Sequence, residues 1–298
     1  MGNLACGFDT LGLALEAPGD VVAARPVSRP GVTLYRIEGD DGRLPLDPER
    51  NTASVAAQAL LSSVDDARGV ELTLYKGLPL ASGMGSSAAS AVAAALAVDA
   101  LFELEQPRPK LLAAAIEGER VASGAGHADN VAPCLYGGCT LVRSSEPPDI
   151  VSLPVPPELT VAMLHPALQV STRAAREILP RAIPLDIAIA QWSNLGAFVA
   201  ALFKSDWDLL SRSLQDLVAE PVRAPLVPGF QAAKDAALEA GALGASLSGS
   251  GPSVFALCRG LETANRVADT LAEAYRSATG KDCDALASVV NTKGACIL

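Results

Sequence analysis

Pro79-Leu80-Ala81-Ser82-Gly83-Met84-Gly85-Ser86-Ser87-Ala88-Ala89 puts a hydroxyl-lined glycine loop directly ahead of a long apolar run. Glycines let backbone N–H groups turn toward an anion, and the first turn of a following helix adds unpaired amides and the positive end of its dipole. The stretch reads as a phosphate cradle. An exposed dipole contact is worth only about 0.3–1 kcal/mol, so the loop names a ligand group and no reaction.

Working outward, Ser86 to Leu104 is dominated by Ala, Leu and Val with no Gly or Pro until Pro107, which predicts a helix. Ser90 and Asp99 interrupt it, which favours a buried helix over a membrane span. Upstream, Val70 to Tyr75 reads as a strand entering the loop. Two better-known phosphate motifs compete for these glycines. The P-loop pattern fails because no lysine follows them. Gly83, Gly85 and Ala88 satisfy the dinucleotide pattern G-x-G-x-x-A, with Glu103 twenty residues beyond Gly83. That fingerprint needs glycines tight against a strand end and the acid on a second strand. Here Lys76 to Ser82 intervene and Glu103 is expected within the helix.

Composition bounds the rest. The chain has 298 residues, enough for two domains, and 50% of them are hydrophobic, enough for sizeable cores. A net charge of -10 argues against a nucleic-acid partner, so anionic ligands must be held by local cationic groups. Cys6, Cys134, Cys139, Cys258, Cys283 and Cys296 form no C-x-x-C pair, which disfavours a zinc site or a disulfide framework. No basic region followed by an apolar core opens the sequence, and neither secretion nor membrane association is expected.

Further elements follow from periodicity and breakers. Leu111 to Ser123 reads as a helix ended by Gly124-Ala125-Gly126, and Tyr136 to Val142 as a strand. The prolines between Ser144 and Pro157 mark a domain boundary. Beyond them come a strand over Leu159–Leu164 and helices over Thr172–Leu179, Ile187–Phe203, Asp206–Val218 and Gly229–Ala240. A strand over Ser253–Leu257, a helix over Thr263–Ala278 and a strand over Ala285–Val290 complete the chain. Strands and helices mix in both halves, the mark of an α+β fold. A second loop, Gly244-Ala245-Ser246-Leu247-Ser248-Gly249-Ser250-Gly251-Pro252, shares the glycine and serine content of the first, and the two are expected to share one phosphate site.

Three segments in order now carry a resemblance over nearly the whole chain: Asn3-Leu4-Ala5-Cys6-Gly7-Phe8-Asp9-Thr10-Leu11-Gly12, then Pro79 to Ala89, then Gly244 to Pro252. They resemble the ordered motifs of the GHMP small-molecule kinases, named for galactokinase, homoserine kinase, mevalonate kinase and phosphomevalonate kinase. The opening Asn-Leu-x-x-Gly-Phe-Asp, His127-Ala128-Asp129-Asn130-Val131-Ala132-Pro133 and Ser171-Thr172-Arg173-Ala174-Ala175-Arg176 are most similar to the homoserine kinase branch. The resemblance implies a two-domain α+β GHMP kinase fold with ATP between the domains. Residues 1–152 would form a domain like the second domain of ribosomal protein S5, and 153–298 a ferredoxin-like domain. It also implies Mg²⁺-assisted, in-line transfer from ATP to the side-chain hydroxyl of L-homoserine, in threonine biosynthesis, by a cytoplasmic homodimer. Another GHMP small-molecule kinase, or a non-catalytic nucleotide-binding protein of the same fold, is the alternative.

The resemblance assigns roles as well. Pro79, Leu80, Ala81, Ser82, Gly83, Met84, Gly85, Ser86, Ser87, Ala88 and Ala89 would bind ATP, and Glu119 with the Ser86 or Ser87 hydroxyl would lie by the metal. His127 and Asp129 would stand in the acceptor pocket, where Asn130 orients the attacking hydroxyl without a dedicated general base. Homoserine is a zwitterion, so its pocket needs an oxygen for the ammonium and arginine for the carboxylate. Asn3 and Asp9 offer the first, Arg176 and Arg223 the second, through charge-assisted bonds worth roughly 1.5–3 kcal/mol each. Thr172 and Arg176 are four apart and share a helix face. The family's usual strand and serine ahead of Asn-Leu have no counterpart before Met1, so the true start is expected upstream. Cys6 stands where the family often has proline.

Overall fold

The structure, a computed structural model, describes residues 1–124 and 126–298. In chain order the first half contains β1 (Leu11–Leu13), β2 (Val21–Val27), β3 (Gly31–Glu38), α1 (Thr52–Ser63), β4 (Gly69–Tyr75), α2 (Ser86–Leu101), α3 (Arg108–Ser123), α4 (Ala128–Tyr136), β5 (Cys139–Ser145) and β6 (Pro148–Leu153). β2, β4 and β3 form one sheet in that order, with β3 parallel to β4 and α1 as the crossover between them. β1, β5 and β6 form a second, antiparallel sheet. Leu60, Leu72, Val92, Leu112 and Val131 meet in the core that the helices cover. Gly118 lets α3 approach α1 closely, since a Cβ there would stand 2.4 Å from the Thr52 carbonyl oxygen.

The second half contains β7 (Leu159–Pro166), α5 (Thr172–Glu177), α6 (Leu185–Lys204), α7 (Trp207–Ser213), α8 (Glu220–Arg223), α9 (Phe230–Glu239), β8 (Gly244–Leu247), β9 (Val254–Arg259), α10 (Leu261–Thr279) and β10 (Cys283–Val289). Its sheet has the order β10-β7-β9-β8, every pair antiparallel, with α9 and α10 packed against it through Phe230, Leu271 and Tyr275. A helical crossover, a hairpin and a second helical crossover in this strand order make a ferredoxin-like layer. Two α+β halves with this topology are the expected two-domain GHMP kinase architecture.

Several expected boundaries move for local reasons. α2 stops at Leu101 rather than Leu104: Phe102 caps it, and Glu103 lies outside the helix with φ 51. Tyr136 belongs to α4, and the following strand starts at Cys139, after two glycines of positive φ. α4 is hidden in the sequence because Pro133, inside it, removes one N–H from the helical ladder. The proline-rich stretch is only partly a linker. Pro148 opens β6 and pairs with Ser145, which is tolerated because β6 is an edge strand with one unpaired side. The helix expected over Asp206–Val218 ends at Ser213, and the Asp216 carboxylate instead accepts the N–H groups of Val218, Ala219 and Glu220 at the start of α8. Of the Gly124-Ala125-Gly126 breaker, Gly124 caps α3 with φ 76, and Ala125 lies outside the described residues.

Candidate functional site

The Pro79–Ala89 loop folds back-to-back against the second glycine loop. Ser248 Oγ donates to the Gly83 carbonyl at 3.0 Å, and the Ser253 N–H donates to the Ser82 carbonyl at 3.1 Å. Gly83 has φ +78, and a Cβ on it would stand 2.3 Å from the Ser248 carbonyl oxygen and 2.6 Å from that of Gly251. Conformation and space both require glycine there. Gly244 to Leu247, expected as loop, is strand β8, so the second loop is confined to Ser248–Ser253. α2 starts from Gly85 in the left-handed region with no side-chain cap, leaving its first amides to a ligand.

One cavity of about 470 Å³ lies at this junction. Leu80, Ala81, Ser82, Gly83, Gly85, Ser86 and Ser87 line it, with Gly249 and Ser250 from the second loop. Four residues of the expected ATP-binding stretch do not. Ala88 is in the core, Met84 and Ala89 face a groove on the far side of α2, and Pro79 sits at the loop's foot. A helix start presents amides on one side only, so part of any contiguous motif must face away.

Asn3, Asp9, Glu119, His127, Asp129, Asn130, Thr172, Arg176 and Arg223 all line the same cavity, though they come from five separate stretches of chain. Arg176 Nη2 and Nη1 donate to the two Asp9 carboxylate oxygens at 2.6 and 3.2 Å. Arg176 Nη1 also lies 3.3 Å from His127 Nε2, and a guanidinium can only donate, so that nitrogen accepts. His127 Nδ1 then faces Glu119 Oε1 at 3.8 Å. The bond to Glu119 is the main reason the His127 pKa is raised, and burial partly opposes it. Thr172 Oγ1 lies 3.3 Å from Ser250 Oγ, tying α5 to the second loop.

Asn3 lines the cavity with both of its polar atoms in use. Nδ2 donates to the Gly249 carbonyl at 2.8 Å and Oδ1 accepts the Asp9 N–H at 3.0 Å, so the side chain locks the first motif onto the second loop. Asp129 is buried and Asn130 Nδ2 reaches its Oδ1 at 3.4 Å. Burial, with help from Asp9, pushes the Asp129 carboxyl up to about 6. The Asn130 side chain stands against Gly85, whose Cβ would lie 3.3 Å from Asn130 Oδ1, which puts the amide at the start of α2. Arg223 is buried, with Nε donating to the Ala175 carbonyl at 3.0 Å, Nη1 to that of Gly249 at 3.1 Å, and its guanidinium over the Phe8 ring at 5.0 Å. Burial lowers its pKa, and it has no carboxylate within ion-pair distance among the described residues.

Sequence reasoning missed a brace beneath the loop. Lys76, the first residue after β4, pairs with Asp20 where both side chains are buried. Lys76 Nζ also donates to the Ser86 carbonyl at 3.1 Å and to Ser90 Oγ at 2.8 Å. Asp20 accepts the N–H groups of Gly77 and Leu78 at 3.0 and 3.1 Å and the Ser90 hydroxyl at 2.7 Å. The lysine absent after the glycines is thus supplied ahead of them, already neutralised. Its only signal in the sequence is a charged residue at a strand end. Residues 44–45 and 50–52, ahead of and opening α1, also line the cavity and carry no motif.

Residues 51–138 match the family model "GHMP kinases N terminal domain" and residues 198–277 "GHMP kinases C terminal". The chain is similar to a homoserine kinase of Chlorobium phaeobacteroides, 47% identical over 92% of this chain and 89% of that one. It is also similar to the crystal structure of homoserine kinase from Cytophaga hutchinsonii, with a TM-score of 0.94, 47% identity, and coverage of 98% of this chain and 92% of that one. The crystal structure of L. major mevalonate kinase in complex with R-mevalonate has a TM-score of 0.70 at 17% identity, covering 91% of this chain and 86% of that chain, a likeness of fold alone.

Proposed function

The chain belongs to the GHMP kinase family, and from that premise we propose that it uses ATP to phosphorylate the side-chain hydroxyl of L-homoserine, giving O-phospho-L-homoserine for threonine biosynthesis. The observation that carries the acceptor is Arg223: a buried guanidinium without a carboxylate partner among the described residues, in the cavity that holds the two glycine loops. A buried cation left unpaired is costly, and an α-carboxylate entering the cavity offsets that cost. Arg176 supplies a second fork, and Asp9 a carboxylate for the ammonium. Because Asp9 and Arg176 are bonded to each other, a zwitterion exchanges one internal ion pair for two new ones. Mevalonate brings a carboxylate but no ammonium, so with it Asp9 loses Arg176 and gains no partner, while a sugar brings neither charge and leaves Arg223 without a carboxylate.

Phosphoryl transfer rests on positioning and charge stabilisation. The amides at the start of α2 and the loop hydroxyls hold the phosphates, and Asn130 beside Gly85 orients the attacking hydroxyl toward them. Asp129, bonded to Asn130 and buried behind it, fixes the amide instead of taking the proton. Glu119 and Ser86 fit Mg²⁺, which takes hard oxygen ligands, keeps several waters and shares them with substrate phosphates; no cluster of three acidic, histidine or cysteine side chains among the described residues offers a protein cage. Bound there, the ion would neutralise charge between the terminal phosphates. The working unit is a homodimer in the cytoplasm, and the net charge of -10 argues against nucleic acid as a partner.

Phosphorus NMR tests the reading: ATP, Mg²⁺, L-homoserine and the protein give a new phosphomonoester resonance as the γ-phosphate signal falls. ATP binding without any acceptor product would favour a nucleotide-binding protein instead.

A further inference from the structure

α6 is 20 residues long, with mean hydropathy 1.3, yet only 17% of its apolar window is buried. Phe198, Ala201 and Leu202 anchor one side of it in the core. The other side is apolar and open: Leu185 is 68% exposed, Ile189 47%, Trp192 55% and Phe203 67%. At about 3.6 residues per turn, Leu185, Ile189, Trp192, Gly196, Val199 and Phe203 fall on one stripe. A Cβ on Gly196 would meet nothing within 4 Å, so the stripe has a shallow hole beside a large knob. Asp186 at its first turn and Lys204 at its last form no ion pair among the described residues. Contiguous apolar surface of this kind marks an interaction site.

We propose that this face docks antiparallel on the same face of a second copy of the chain, about a two-fold axis at the level of Asn194. The inference gives an interface to the homodimer suggested above and rests on that reading. With the axis at Asn194, Leu185 of one copy faces Phe203 of the other, Ile189 faces Val199, and Trp192 lies beside Gly196, each contact made twice. Asp186 and Lys204 project from the same flank of the helix, eighteen residues or five turns apart. A two-fold axis perpendicular to both helices keeps that flank on the same side, so each Asp186 comes within one residue or two of the partner's Lys204. A parallel pairing would carry this flank to opposite sides of the two helices and bring no Asp186 near a Lys204, so the charges favour the antiparallel register. A lipid bilayer fits less well. The helix is held sideways by its buried face, and Asp186, Asp206 and Asp208 border it on a chain of net charge -10.

Sedimentation velocity across a protein dilution series, with the full chain, tests the proposal. The unaltered protein is expected to be a dimer, and Trp192→Asp to raise the dissociation constant by about 30-fold or more, as loss of a central aromatic anchor does. Asp186→Lys and Lys204→Asp should each weaken the dimer, and the double exchange should restore it; these exposed positions keep the fold intact and carry the test if Trp192→Asp does not. A dimer indifferent to all these changes would overturn this face while leaving the homodimer. A monomer at every concentration would overturn both. Co-sedimentation with vesicles of phosphatidylcholine and phosphatidylglycerol, lost in Trp192→Asp, would replace the second copy by a membrane surface.

Discussion

Arg223 and Asp129 are both buried ionisable groups, and they lead to opposite predictions. If Arg223 holds the acceptor carboxylate as proposed, Arg223→Met removes bonds made to the ligand and should raise KM for homoserine by about 10–100-fold while leaving KM for ATP unchanged. Steady-state kinetics in both substrates measures that split. Asp129 has a native pKa of about 6, above the ordinary aspartate value, because it is buried near Asp9 and Glu119, with His127 pulling the other way. A raised carboxyl pKa favours the protonated native state. Its contribution is complete below pH 4 and is lost as pH rises through 6. At pH 7.5 the ionised group costs up to about 3 kcal/mol. Asp129→Asn should therefore gain stability in urea unfolding at pH 7.5 and gain little at pH 4. If Asp129 is no general base, the same variant keeps turnover within about tenfold, whereas a general base is worth 10² to 10⁴. Asn130→Ala should carry the larger loss.

Among the elements, the loop ahead of α2 depends on two supports that a motif search does not report. The first is the other glycine loop, which touches Gly83 so closely that Gly83→Ala must displace backbone; loss of ATP binding by calorimetry, with the rest of the fold intact by circular dichroism, is the expected outcome. The second is the Asp20–Lys76 brace. Breaking one side of a buried ion pair typically costs 3–5 kcal/mol, while removing both costs less. Asp20→Asn and Lys76→Met should each lower the melting temperature and raise KM for ATP, and the double variant should recover part of both. A Lys76→Met loss that Asp20→Asn does not share would make the lysine a direct phosphate ligand. The elements differ in how legible they are in the sequence. α2 was legible because an alanine-rich run behind glycines has one plausible conformation. β1 to β3 and α1 were not, since β2 and β3 are half-exposed and pair with a β4 that lies beyond α1 in the chain. Asp20 could not be found at all, because its partner is far along the chain and only the fold joins them.

Across the whole molecule, the cavity proposed to take the acceptor is assembled from both halves: Asp9 and His127 from the first, Arg176 and Arg223 from the second. Residue types and motif order made these candidates visible, and the structure adds that Asp9 and Arg176 are each other's partner and that Asn3 ties loops together. Neither fact follows from spacing, since each depends on which side chain wins a shared partner. The same assembly makes the central claim one of specificity. Initial rates of ADP release with homoserine, mevalonate and galactose as acceptors test it most directly. The account predicts a kcat/KM for L-homoserine at least about 10³ above the other two, the scale expected when a site built for charged groups meets an analogue that lacks them. Equal or faster turnover of mevalonate or galactose would contradict it.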